Sequence, residues 1–192
     1  PSDLSRRPLG REMNRDARQI LTELLVLRAQ DGDESAFRQL HDLWRHEVER
    51  MAVVRIGQLQ GGQDVAQDAW VSIARGIYRL SDPACFPRWA LQIVQRRAAD
   101  WVRRIQRERR NRENNQSVHQ AALIPTDLRQ SALAEAVAVL PVEDRTMLTL
   151  FYELGRSVGE IAEIVKVPAG TVKSRLYALR ERLRNEIEKE KL

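Results

Sequence analysis

The chain has one cysteine, Cys85, in 192 residues. That excludes a disulfide framework and cysteine-ligated zinc. Histidine is scarce too: His41, His46 and His119 are the only three. His41 and His46 are five apart, and two imidazoles share a helical face at four apart. No metal and no cofactor are expected. No uncharged apolar run approaches the ~18 residues needed to cross a bilayer, and no basic-then-apolar secretion signal opens the chain. A phosphate-cradling Gly-rich loop, a nucleophile elbow and a His-Glu-x-x-His string are all missing. The expectation is a soluble cytoplasmic protein of a reducing compartment, and not an enzyme.

Charge is what the sequence has in excess. Charged residues make up 31% of the chain, against roughly 25% in an average globular protein. Lys and Arg number 32 and Asp and Glu 27, a formal net charge of +5. A basic balance favours an anionic partner, nucleic acid first. Hydrophobic residues at 43% suffice for a core.

Their spacing is helical almost throughout, with no alternating strand pattern and no internal repeat. The 9 Gly and 7 Pro fall between periodic segments as punctuation. Residues 1–15 read as a disordered tail. Asp16 suits the N-cap of a first helix with Ile20, Leu21, Leu24, Leu25 and Leu27 as its apolar set. A second helix starts near Glu34 and breaks at Gly61-Gly62. A third runs from Gln63 to Leu80, and Ser81-Asp82-Pro83 turns the chain. A fourth runs from Phe86 to about Arg110. Residues 112–130 are rich in Asn, Gln and Ser, a linker composition. Further helices follow, over Ser131–Leu140, from Pro141 at the first helical position to about Leu154, and on either side of Val167-Pro168. The expected fold is all-α. Two small helical domains, 16–111 and 131–192, are joined by a flexible linker.

Ser157-Val158-Gly159-Glu160 fits a capping box. It opens a short helix carrying Ile161, Ala162, Ile164 and Val165. After the turn, Val172, Leu176 and Leu179 point inward. The opposite face offers Thr171, Lys173, Ser174, Arg175, Tyr177 and Arg180. Donors near the start of the second helix of such a pair are what major-groove docking requires. Lys166 stands at a turn position that favours Gly, at a cost of about 1 kcal/mol. A solvated helical hairpin is the bland alternative.

The fourth helix carries a second basic surface. Arg88, Gln92, Arg96, Arg103, Arg107 and Arg110 form one stripe opposite Phe86, Trp89, Ala90, Ile93, Val94, Trp101 and Ile105. Residues 96–112 hold eight Arg against Asp100 and Glu108. Such a stripe repels itself unless an anion tracks it. Asp100 is expected to pair with Arg104, one turn on. Trp89 has two readings, a base-stacking platform or a core residue at core spacing. On the third helix Asp64, Gln67 and Asp68 share a polar face beside Trp70. No third ligand converges there for a metal or catalysis, so protein docking is the better reading.

Taken together, these residues resemble the extracytoplasmic-function (ECF) group of bacterial sigma factors, in the sigma-70 family. Gly62-Gln63-Asp64-Val65-Ala66-Gln67-Asp68-Ala69-Trp70 is similar to the acidic helix of the family's region 2. Phe86-Pro87-Arg88-Trp89-Ala90-Leu91-Gln92-Ile93-Val94, with Asp100 and Arg103-Arg104, is similar to the helix that follows. Leu140-Pro141, Glu160-Ile161-Ala162-Glu163-Ile164 and Thr171-Val172-Lys173-Ser174-Arg175-Leu176 resemble region 4. The resemblance implies a transcription initiation factor. Asp64, Gln67, Asp68 and Trp70 would dock on core RNA polymerase. Arg79, Ser81, Asp82, Arg88, Trp89, Gln92, Arg96, Arg103 and Arg104 would serve the −10 element of promoter DNA. Thr171, Lys173, Ser174, Arg175, Tyr177 and Arg180 would read the −35 element, and the linker would thread the polymerase. An anti-sigma factor is a further implied partner. Arg96 stands where the family usually has Asn, and Ala178 at a commonly basic site.

Two other classes remain open at this point. One is a stand-alone helix-turn-helix regulator, or a decoy for an anti-sigma factor. The other is a basic helical RNA binder. The charge is unevenly spread: residues 129–165 carry three basic and six acidic groups, while residues 171–192 carry seven basic and four acidic. The acidic stretch is expected to face protein partners.

Overall fold

The structure, a computed structural model, describes residues 9–112 and 132–189. The linker expected over 112–130 lies, from residue 113 on, outside the described residues. Among the described residues there are eight α-helices: α1 Leu9–Gln30, α2 Glu34–Ile56, α3 Leu59–Gly76, α4 Phe86–Arg112, α5 Ala132–Ala138, α6 Val142–Leu148, α7 Val158–Val165 and α8 Ala169–Lys189. No strand occurs among the described residues. The all-α expectation holds.

Helices α1 to α4 form one bundle around Leu25, Val26, Leu40, Trp44, Val48, Met51, Ile73, Phe86, Leu91 and Val94, all buried. Helix α2 starts where Asp33 caps it, accepting a hydrogen bond from the Ala36 N–H. Trp44 is the polar test of this core. Its indole N–H donates to Thr22 Oγ1 at 3.0 Å, and Thr22 donates to the Arg18 carbonyl at 2.7 Å. A buried indole N–H is thereby satisfied, as burial demands.

Several boundaries and faces differ from expectation. Helix α1 begins at Leu9, so Asp16 lies within it instead of capping it. Its buried positions are Thr22, Leu25, Val26 and Ala29, while Ile20, Leu21, Leu24 and Leu27 are exposed. Thr22 belongs to the buried face because Trp44 needs an acceptor there. Gly61-Gly62 does not break α2. That helix ends at Ile56 on Gly57, which has φ +77°, and both glycines sit buried in the first turn of α3. A Cβ on Gly62 would lie 2.6 Å from the Val53 Cα, and one on Gly61 2.8 Å from the Trp101 ring. The pair lets α3 cross α2 and α4 at close range. Helix α3 stops at Gly76, and a 3₁₀ turn over Ile77–Arg79 completes the stretch expected to be helical to Leu80.

The C-terminal helices bury Leu140, Met147, Leu150, Ile161, Ile164, Val172, Leu176 and Leu179. Pro141 is the N-cap of α6, one residue before the place expected. Helix α6 runs on into a π-helical turn over Thr149–Glu153 before Gly155. These helices pack against α2 and α4 of the first bundle.

Candidate nucleic-acid interface

The helix-turn-helix forms for local reasons. The Ser157 side chain accepts from the Glu160 N–H at 3.2 Å, and the Glu160 carboxylate accepts from the Ser157 N–H at 2.7 Å. The capping box expected at this position is therefore complete. Lys166 takes the left-handed conformation, φ +58° and ψ +48°, that the turn requires. Pro168 supplies the carbonyl for the first bond of α8, from Val172 N–H at 3.1 Å. Val172, Leu176 and Leu179 face inward, as their spacing predicts.

The outer face of α8 is open. Lys173, Ser174, Arg175 and Tyr177 are exposed and Thr171 is half-buried. Ser174 donates to the Thr171 carbonyl at 3.1 Å. Arg180 is placed differently: its guanidinium donates to Tyr152 Oη at 2.5 Å and lies near the Phe151 and Tyr152 rings. The protein itself holds that side chain.

The basic stripe on α4 divides into two parts. Arg96, Arg103, Arg104, Arg107 and Arg110 are exposed. Asp100, Arg103, Arg104, Arg107 and Glu108 line a shallow concavity there. Asp100 pairs with Arg103 at 2.5 Å, not with Arg104, because three residues along a helix also face each other. Arg97 turns to Ser72 on α3, at 2.8 Å. Upstream, Arg88 pairs with Glu163 of α7, and Gln92 donates to the Glu163 carbonyl at 3.0 Å. Trp89 is half-buried and lies against Gly76 and Phe86.

The loop before α4 is organised by Asp82. Its carboxylate accepts from the Ala84 N–H at 3.0 Å and from the Cys85 thiol at 3.1 Å. Those bonds hold the Asp82 carboxyl below the usual carboxylate range, and the bond to Asp82 pushes the Cys85 thiol up. Asp82 thus shapes the loop, while Arg79 and Ser81 stand exposed on it. On α3, Asp64, Gln67 and Asp68 are exposed on one face. Trp70 is anchored beside them by Phe37 (6.2 Å between centroids) and His41 (4.6 Å).

The composition alone did not single out Arg50, Arg55, Glu47 or Arg156, yet they are among the most engaged charges in the molecule. Glu47 accepts from Arg156 at 2.6 Å and also pairs with Arg18. Both guanidinium groups lie near the Trp44 ring, at 4.3 Å for Arg18 and 5.1 Å for Arg156. Arg50 forks onto Glu153 at 2.5 and 2.8 Å, a bond that raises the Arg50 pKa. Arg55 faces Glu143 at 3.8 Å. Burial lowers its pKa.

The structure thus combines a helical bundle bearing a cationic helix with a helix-turn-helix whose basic face is open. Residues 130–183 match the family described as "Sigma-70, region 4". The chain is 28% identical over 173 residues to the RNA polymerase sigma-H factor of Pseudomonas aeruginosa, covering 82% of this chain and 89% of that protein. It is 24% identical over 183 residues to the ECF RNA polymerase sigma factor SigW of Bacillus subtilis, covering 88% and 98%. The ECF RNA polymerase sigma-E factor of Escherichia coli K12 is 27% identical over 185 residues, covering 88% and 96%. Two solved structures share the fold. Bartonella quintana RpoE, in complex with the anti-sigma factor NepR, has a TM-score of 0.67 at 20% identity, over 79% of this chain and 96% of that one. CnrH, in complex with the cytosolic domain of CnrY, has a TM-score of 0.66 at 21% identity, over 88% and 97%. Over most of its length the chain is similar to ECF sigma factors, and its residues 130–183 match sigma-70 region 4.

Proposed function

We propose that this chain is an RNA polymerase sigma factor that directs core polymerase to promoters. The match of residues 130–183 to sigma-70 region 4 carries this reading. In it, the exposed face of α8 reads the −35 element. Lys173 and Arg175 reach base edges and phosphates, and Thr171 and Ser174 bond phosphate near the helix start. Tyr177 adds an apolar edge. Arg180 positions that face through Tyr152.

The first domain, residues 16–111, serves the −10 element through Arg96, Arg103 and Arg104 on α4, Arg79 and Ser81 on the loop, and Trp89 beside them. Arg88 and Gln92 join them once freed from Glu163. Asp64, Gln67 and Asp68, with Trp70 behind them, dock on the polymerase. The linker of residues 112–130 connects the domains. The protein supplies specificity and leaves catalysis to the polymerase. An anti-sigma factor is its regulatory partner, as NepR is for the structurally similar Bartonella quintana RpoE. No helix among the described residues is long and apolar enough to cross a membrane.

The test is co-purification with core polymerase. Wild type is expected to bind core in a stable complex, and Asp64→Ala with Asp68→Ala to weaken it about tenfold or more, since two desolvated charges at an interface are commonly worth that much. Unchanged binding by the double variant contradicts the docking assignment. Absence of any complex with core contradicts the function. Tight core-independent binding to a palindromic site marks a stand-alone regulator.

A further inference from the structure

The carboxylates expected to face outside partners are engaged within the chain: Glu143 meets Arg55, Glu153 meets Arg50 and Glu163 meets Arg88. An open apolar surface lies elsewhere, on α1. At about 100° per residue, the buried residues Thr22, Leu25, Val26 and Ala29 centre on one side of that helix. Ile20, Leu24 and Leu27 centre on the side opposite. They are 67%, 51% and 49% exposed, and Leu21 at their edge is 42% exposed. Helix α1 is therefore apolar on two sides and covered on one. An apolar face of this extent marks a contact with another protein surface.

The spacing says what fits it. Ala17, Ile20, Leu24 and Leu27 are separated by steps of three, four and three, the a/d repeat of a coiled coil. Ala17 is exposed as well. With Ile20 and Leu27 at d and Ala17 and Leu24 at a, Glu23 takes a g position and Arg28 the next e position. In a parallel pair of identical helices, g of one copy faces the following e of the other. Glu23 then meets Arg28 of the second copy, and the two-fold axis makes that pair twice. In an antiparallel pair on the same seam, Glu23 faces Glu23. Both side chains are held locally. Arg28 donates through Nε and Nη2 to Asp33 Oδ2 at 3.1 and 2.6 Å, and Glu23 accepts from Gln19 Nε2 at 3.1 Å.

We propose that a second copy of this chain docks on the outward face of α1. The two helices run parallel, sealed by Ile20, Leu24 and Leu27 and flanked by two Glu23–Arg28 ion pairs. The occupant follows from charge complementarity, because the rim of the seam matches itself in that one orientation. The side that α1 shows to its own bundle is not needed for the contact. The seam runs along about 20 Å of helix. That is less than a standard interface of ~1,200–2,000 Å² uses, so the dimer is weak, with a dissociation constant of about 10 μM. The contact goes beyond the sigma-factor reading and does not depend on it.

Sedimentation equilibrium of the full chain, free of polymerase and DNA, tests this. Wild type is expected to pass from the mass of one chain to that of two as concentration rises through about 10 μM. Leu24→Glu brings a carboxylate into the seam from each copy and is expected to raise the dissociation constant about a hundredfold or more. Glu23→Arg sets two arginines against two, and is expected to raise it about tenfold. In an antiparallel pair the same variant leaves the constant unchanged. Leu27→Cys, made with Cys85→Ser so that one thiol is present, is expected to give a disulfide-linked dimer on mild oxidation, since d faces d in the parallel pair. A dimer that survives Leu24→Glu, with far-ultraviolet circular dichroism showing a folded helical chain, overturns the proposal. So does an unchanged constant for Glu23→Arg, or the absence of the cross-link. A chain that stays monomeric at every attainable concentration overturns it as well, and loss of core-polymerase binding by Leu24→Glu would then assign the face to the polymerase.

Discussion

At residue scale, single atoms decide where helices pass. Gly62 meets the Val53 backbone, which cannot swing aside as a side chain can. Gly62→Ala is expected to lower stability by about 2–3 kcal/mol, in the range of overpacked cores, read from the urea midpoint. Asp33 holds the start of α2. The Ala36 N–H, with Arg28 added, keeps its carboxyl below the usual range. A depressed folded pKa makes the contribution full above the unfolded value, near 3.9, and loses it as pH falls through the lower folded value. Asp33→Asn keeps an acceptor but removes that titration. Melting in a series of acid buffers should show a shallower acid decline for the variant.

The capping box at Ser157 was legible in the sequence because its atoms lie within four residues. The role of Gly61 and Gly62 was not legible. Glycines read locally as a break, and their reason lies in Val53 and Trp101, brought there by the bundle.

At the scale of elements, the inward set of α8 followed from spacing alone, since Val172, Leu176 and Leu179 are its one apolar stripe. Helix α1 was harder, with apolar residues on more than one side. Thr22 decides the matter by serving Trp44, and no periodicity reveals that a threonine outranks four leucines and isoleucines. On α4 the stripe was legible as a pattern, but its division between open and occupied arginines depends on α7. The open face of α8 carries the element-scale prediction. Lys173→Ala should weaken promoter binding by the polymerase holoenzyme about equally across −35 sequences. It should also reduce the slope of log affinity against log salt by about 1, as loss of one phosphate contact does. A salt titration of promoter binding measures this. A sequence-dependent loss with no change of slope would assign Lys173 to a base edge.

At the scale of the whole molecule, the packing of the helices after residue 131 on those before residue 113 was not legible. Glu47 and Arg156 are 109 residues apart, and nothing in either neighbourhood marks the other. Glu47 is the centre of this interface, shared by Arg18 and Arg156 above Trp44. Glu47→Ala leaves the buried Arg156 guanidinium with only the longer Glu160 contact at 3.5 Å, and breaking a buried ion pair costs up to about 3–5 kcal/mol. Urea unfolding of the full chain should show the loss, and Glu47→Gln should show a smaller one because it still accepts a hydrogen bond.

The proposed function places this chain in transcription initiation, and it assigns the exposed faces of α4 and α8 to DNA and the acidic face of α3 to the polymerase. The direct measurement is transcription by purified core polymerase on a promoter library, with and without this protein, and with the start sites mapped. Specific starts that require the protein, and that weaken with Asp64→Ala and Asp68→Ala, are the predicted result. A protein that binds DNA yet yields no start site on any promoter with core polymerase would contradict the account.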